Sequence, residues 1–214
     1  MHAPPTPSTP PMPPMPPTPP DASDVLHYLL ARYSVGPKHL RAPGPTHAQL
    51  LGAASAALRA PDHEHLVPFR FAVVADAQRA DLARLFEAAA LRAGHTAEEA
   101  RDDGRRAWNG PVLVAFVARV DPAHPKVPAH EQWLCAGGAL ANFLNALHLM
   151  GFGAKVLSGR KAADPQVGAA FCGPGETLVG WIVAGTPSAA AHARVEDDPA
   201  QVLGDWRRAD GADG

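Results

Sequence analysis

Cysteine is scarce: Cys135 and Cys172 are the only two in 214 residues, far apart and without CxxC spacing. Neither a disulfide framework nor a cysteine zinc site is indicated, and a reducing compartment, the cytoplasm, is the expected location. Aromatic residues reach only 6% while alanine is abundant, which argues against an all-β sandwich and for helices packed through small side chains. Charge of one sign is also missing. The formal net charge is −2, and no basic block interleaved with aromatics occurs, so a nucleic-acid surface is not expected. The chain has no GxGxxG and no G-x-x-x-x-G-K-[ST], and neither G-x-S-x-G nor H-E-x-x-H is present. The longest apolar stretch, about residues 129–150, carries Asn142, Asn145 and His148, and it follows a strand and loop of soluble character. It reads as a buried central helix rather than a membrane span.

Proline is concentrated at the start. Eleven of the first twenty residues are proline, and after Met1 only Met12 and Met15 are large and apolar. A secretory h-region needs an uninterrupted apolar run, so residues 1–20 read as a disordered or polyproline tail. Residues 21–187 are long enough for one domain with a real core. The stretch 188–214 has few apolar residues and closes on Val202, Leu203 and Trp206, so it cannot form a core of its own.

Helix and strand signals alternate along the body. A helix is expected from Asp21 to Arg32, and a capping box at Thr46–Gln49 opens a second that runs to about Leu58. Phe69 to Ala75 reads as a strand, Asp76 to Ala93 as an amphipathic helix, and Thr96–Glu99 as another capping box before a short polar helix. Val112 to Ala118 is an apolar central strand, followed by the long helix Ala129 to Met150. Strands at Ala154–Leu157 and Leu178–Ala184 flank a small helix near Asp164–Phe171, after which Gly185-Thr186-Pro187 turns the chain away. This order suggests α+β, a mixed sheet around one buried helix.

The chemistry-bearing residues crowd into one loop. Between a helical run ending at Arg59 and a strand starting at Phe69, two prolines enclose Asp62, His63, Glu64 and His65. A stiff charged loop between packed elements has the anatomy of a binding loop, and equally that of a plain polar connector. The i, i+2 histidine spacing suits no common zinc pattern, so no metal is expected. Arg32 with Ser34, and Arg59, sit at helix ends beside loops, where a guanidinium and a hydroxyl suit a phosphate. A terminal arginine also complements a helix dipole without any ligand.

Read in order, four pieces stand in register: Arg32-Tyr33-Ser34; Leu58-Arg59-Ala60-Pro61-Asp62-His63 with Pro68-Phe69-Arg70-Phe71; Lys126-Val127-Pro128 with Glu131-Gln132; and Gly151-Phe152-Gly153 with Ser158-Gly159. Together they resemble the nitroreductase family, most closely its small bacterial branch of minimal NAD(P)H nitroreductases, over residues 21–187. The resemblance implies an α+β fold, a homodimer built across the long helix, and FMN in two sites at the dimer interface. It places Arg32, Tyr33 and Ser34 on the ribityl chain and phosphate. Arg59 and His63 would reach the flavin from the other subunit, and Leu157, Ser158 and Gly159 would contact it from a strand end. Leu147, His148, Leu149, Met150, Gly151 and Phe152 fall where the branch meets NADH or NADPH. The tail would wrap the partner subunit. The implied activity is ping-pong hydride transfer from NAD(P)H through FMN to a small-molecule electron acceptor, nitroaromatic or quinone-like, with no catalytic side chain. Rivals are another flavin reaction on the same scaffold, such as dehalogenation, and a flavin-binding dimer without catalysis. Three positions depart from the family pattern: Tyr33 replaces an arginine, Val156-Leu157 stand where the branch has Trp-Arg, and Phe69 stands for tryptophan.

Overall fold

The computed structural model describes residues 21–188 and 197–206. Its contacts divide the chain into two units, one ending at Arg32 and the other beginning at Tyr33. The first contains α1 (Ala22–Ala31), capped by Asp21, whose carboxylate accepts the Ser23 amide at 2.9 Å. Ten residues are too few for an isolated helix to persist in water.

From Tyr33 onward a five-stranded sheet organises the chain. β3 (Val112–Ala118) is central, as its uniform apolarity suggests, and pairs antiparallel with β2 (Phe69–Val73) and with β5 (Thr177–Pro187). The far side of β5 takes β4 (Gly153–Leu157) and then the two-residue β1 (Leu40–Arg41). The parallel component of the sheet is one bridge, Ser34 to Ala154. Gly185-Thr186-Pro187 does not turn away as expected. It extends β5, because Arg41 and Leu40 offer a strand edge opposite Thr186 and Pro187.

Alternation along the strands divides the core in two. Val114, Phe116, Ile182 and Ala184 face α2 (His47–Ala57) and α5 (Ala129–Leu149). Leu113, Ala115, Val117, Trp181 and Val183 face α3 (Arg79–Arg92) and α6 (Pro165–Phe171), with α4 (Ala97–Arg105) packed on α3. Both predicted capping boxes form, Gln49 and Glu99 each accepting the amide of its threonine at 2.8 Å. The long helix buries Cys135, Ala136, Ala139, Phe143 and Leu147 against the sheet. Its other side leaves Trp133 and Leu134 exposed. Among the described residues no helix is long and apolar enough to cross a membrane.

Candidate functional site

The loop from α2 to β2 is held in an unusual shape. It leaves α2 through Arg59 and Ala60 and packs on α5 beside Gly138, where a Cβ would be in van der Waals contact with the Ala60 methyl at 3.4 Å. Three residues then take the left-handed conformation: Glu64 at φ 64°, His65 at 55° and Val67 at 47°. Each such L-residue costs about 1–2 kcal/mol, and a β-branched valine there is rare. The Phe69 amide donates to the Val67 carbonyl at 2.7 Å, closing a tight three-residue turn.

Asp62 holds this strain in place. Its carboxylate accepts the Leu66 amide at 3.2 Å and the Val67 amide at 2.8 Å. The buried Cys135 thiol donates to it from α5, and burial together with the Asp62 charge pushes that thiol up to about 11. Two outer ties join the loop to the segment that opens α5. His63 Nδ1 lies 2.9 Å from Glu131 Oε2, and Lys126 Nζ lies 3.4 Å from Glu64. A carboxylate only accepts, so Nδ1 carries the proton and Nε2 is the free ring nitrogen. The exposed Arg59 side chain has no hydrogen bond or ion pair among the described residues. Arg70, four residues from Leu66, is by contrast consumed. It donates to Glu176 at 2.8 and 2.5 Å and to the Phe171 carbonyl, while Arg119 donates to the same Glu176 at 2.8 Å.

A second set of predicted residues gathers along β4. Ser34 bridges Ala154, near its start, with the Val35 amide donating to the Ala154 carbonyl at 3.0 Å. Ser158 and Gly159 follow its end, four residues or about 13 Å further on. Both serines are exposed. Gly180 of β5 is what allows this end to come so near, because a Cβ there would meet the Leu157 carbonyl oxygen at 2.5 Å. A bulge makes Val179 the extra residue beside it. Sequence reasoning missed Gly180, since a glycine needed for close approach looks like any other until its neighbour is known. Tyr33 and Leu157 are partly buried against the α3–α6 side of the core rather than free at the surface. Arg32 closes the separate first unit, where its amide donates to Leu29 at 3.3 Å.

The segment expected to meet a nicotinamide nucleotide ends α5. Leu147 is buried, Leu149 and Met150 are exposed, and His148 Nε2 is buried without a hydrogen-bond partner. Gly151 at φ 85° ends the helix, with the Phe152 amide donating to the Leu147 carbonyl at 2.9 Å. Within one chain this segment and the His63 loop are not brought together. They sit at opposite ends of α5, about 27 Å apart from Glu131 to Leu149. Among the described residues no cluster of three or more His, Cys, Asp or Glu is arranged to hold a metal ion.

The fold finds its counterpart in known proteins. The Nitroreductase family model matches residues 29–186. This chain belongs to the nitroreductase family. The Escherichia coli (strain K12) protein named "Putative NAD(P)H nitroreductase YdjA" is 33% identical over 174 residues, covering 80% of this chain and 93% of that one. A nitroreductase-like family protein from Bacillus cereus shares the fold with a TM-score of 0.72 at 18% identity, over 85% of this chain and 95% of the other. A nitroreductase with bound FMN from Bacteroides fragilis shares the fold with a TM-score of 0.61 at 18% identity, over 86% of this chain and 99% of the other.

Proposed function

We propose that this nitroreductase-family chain is an FMN-dependent NAD(P)H oxidoreductase that acts as a homodimer on nitroaromatic or quinone-like acceptors. One observation carries the reading. The Arg59 guanidinium is unpaired and His63 is oriented, in a chain that leaves large apolar side chains bare on α2 and α5: Leu51, Leu58 at the α2 C-cap, Trp133 and Leu134. Monomeric proteins rarely leave large apolar patches open. Two α5 helices crossing antiparallel about a two-fold axis would cover these side chains. The same operation brings one chain's His63 loop toward the other chain's α5 end, which the 27 Å separation within a chain forbids. The exposed Val202, Leu203 and Trp206 give the tail an apolar face to lay on the partner.

The residues present fit FMN. Ser34 and Ser158 offer exposed hydroxyls along one strand, Gly159 leaves open space around its Cα, and Arg59 offers an uncommitted guanidinium. With Tyr33, these would hold the phosphate and ribityl chain, and Leu157 would present its backbone to the ring. When bound, FMN supplies the hydride-accepting and hydride-donating chemistry. The protein's part is to orient, to exclude water and to supply charge. The Glu131–His63 pair fixes the imidazole, the left-handed turn fixes the direction of the loop, and the residues 147–152 would receive the nicotinamide nucleotide.

A second reading has its own support. Tyr33 and Leu157, which stand where relatives of this branch are expected to carry arginine, are engaged in core packing and leave no cation there. That favours a flavin-binding dimer that has lost its reductant. One experiment separates the two. The purified protein is expected to show a stoichiometric oxidised-flavin band that bleaches anaerobically with NADH or NADPH. A band that persists under both reductants selects the binding dimer, and failure to bind added FMN defeats both.

A further inference from the structure

On the opposite side of the sheet from the His63 loop, a cavity of about 730 Å³ opens between α3, α4 and the segment after β4. This size is typical of small-molecule pockets. Its floor is apolar: Phe86 and Trp181 meet edge-to-face at 5.0 Å, beside Leu113 and Leu157, with Lys161 Nζ 5.3 Å from the Phe86 ring centroid. Trp181 is buried, and its Nε1 has no acceptor in the described chain. A buried donor without a partner is a standing cost that a ligand oxygen could remove.

The lining carries four cations, Arg92, Arg106, Arg160 and Lys161, and four carboxylates, Glu99, Asp102, Asp103 and Asp164. Glu99 is taken up as the cap of α4, Asp102 faces Arg105 outside the cavity, and Asp164 pairs with Arg92 at 2.6 Å while capping α6. Asp103 alone answers Lys161 at 2.7 Å, Arg106 at 3.0 Å and His95 at 3.6 Å. Arg160, which also lines the cavity, is exposed, and its guanidinium has no partner among the described residues. Nothing in the flavin reading uses any of these charges.

We propose that this cavity is a second ligand site, for a flat aromatic molecule bearing one anionic group, with the ring over Phe86, Leu113 and Trp181 and the anion at Arg160. The site shares Leu157 and Ser158 with the residues assigned to FMN and otherwise uses different side chains. Those two also make a bound ligand a neighbour of the flavin strand end.

The test uses 2-naphthoate as probe, titrated calorimetrically into the full-length protein with and without saturating FMN. Two variants at exposed cavity positions accompany it, Ala93→Trp to fill the space and Arg160→Gln to remove the charge, each checked for an unchanged melting temperature. One saturable site per chain is expected, present in both FMN states, lost in Ala93→Trp and weakened at least about tenfold in Arg160→Gln. Displacement of the probe by FMN, unchanged binding in Ala93→Trp, or no saturable binding at millimolar probe overturns the proposal. Equal affinity for neutral 2-naphthamide overturns its charge component. Loss of FMN binding alone leaves the calorimetric result standing, so failure of the flavin reading is distinguishable.

Discussion

Removing the Asp62 carboxylate should disorder the His63 loop at little cost to global stability. In Asp62→Ala, the Leu66 and Val67 amides lose acceptors at 3.2 and 2.8 Å. Bonds to a charged group contribute about 1.5–3 kcal/mol each, and at this half-buried site the lower figure applies, so about 3 kcal/mol is lost. Against this, Glu64, His65 and Val67 leave the left-handed region, and each recovers about 1 kcal/mol as the turn relaxes. The two nearly cancel, and the net change in urea unfolding is expected below about 1.5 kcal/mol. The loop itself should respond strongly. Amide exchange at Leu66 and Val67 should become fast, and limited proteolysis should cut between Glu64 and Phe69. Asp62→Asn should fall between, because its amide nitrogen cannot accept the second bond. A loop that stays protected in Asp62→Ala would refute the claim that this carboxylate holds the strain. So would a stability loss above about 4 kcal/mol, which would mean the turn cannot relax.

Other outcomes follow from the same geometry. Arg59→Ala should weaken FMN binding about tenfold or more in a fluorescence titration while leaving melting unchanged, since its guanidinium has no other partner. Gly180→Ala should destabilise by about 2–3 kcal/mol and shift the β4 end, because the new methyl meets the Leu157 oxygen at 2.5 Å; chemical denaturation and a crystal structure would show it. Glu176 is held down to about 2, first by hydrogen bonds from Arg70 and then by the Gly173 amide. A carboxylate lowered on folding adds stability that is complete above its unfolded value near 4.5 and is lost as pH falls toward 2. Acid unfolding of Glu176→Gln should therefore lack part of the wild-type slope across that window. The Cys135 thiol, raised to about 11, should resist thiol reagents at pH 8 in the native state and react faster in Asp62→Ala.

Much of the fold was legible because it is local. Thr46 and Thr96 announce helix starts through side chains that reach their own first turns, and Asp164 does the same for α6. The uniform apolarity of Val112–Ala118 requires burial on both faces, and β3 is central for that reason. The His63 loop was visible as a charged segment between two prolines, and the four motifs were enough to identify the family. The strand β1 was not legible, because two residues carry no period and pair only with the end of β5.

Local periodicity, capping chemistry and motif order therefore determined the element order, the fold class and the residues to watch. The rest depended on neighbours distant in sequence. Only the folded chain shows that Asp62 binds two amides of a strained turn while taking the Cys135 thiol from another helix. The contrast between Arg70, spent on Glu176, and the uncommitted Arg59 is equally invisible in the sequence, where both are arginines beside one loop. A side chain's chemistry is written in its type, but its availability is set by the partners that long-range packing brings within hydrogen-bond reach.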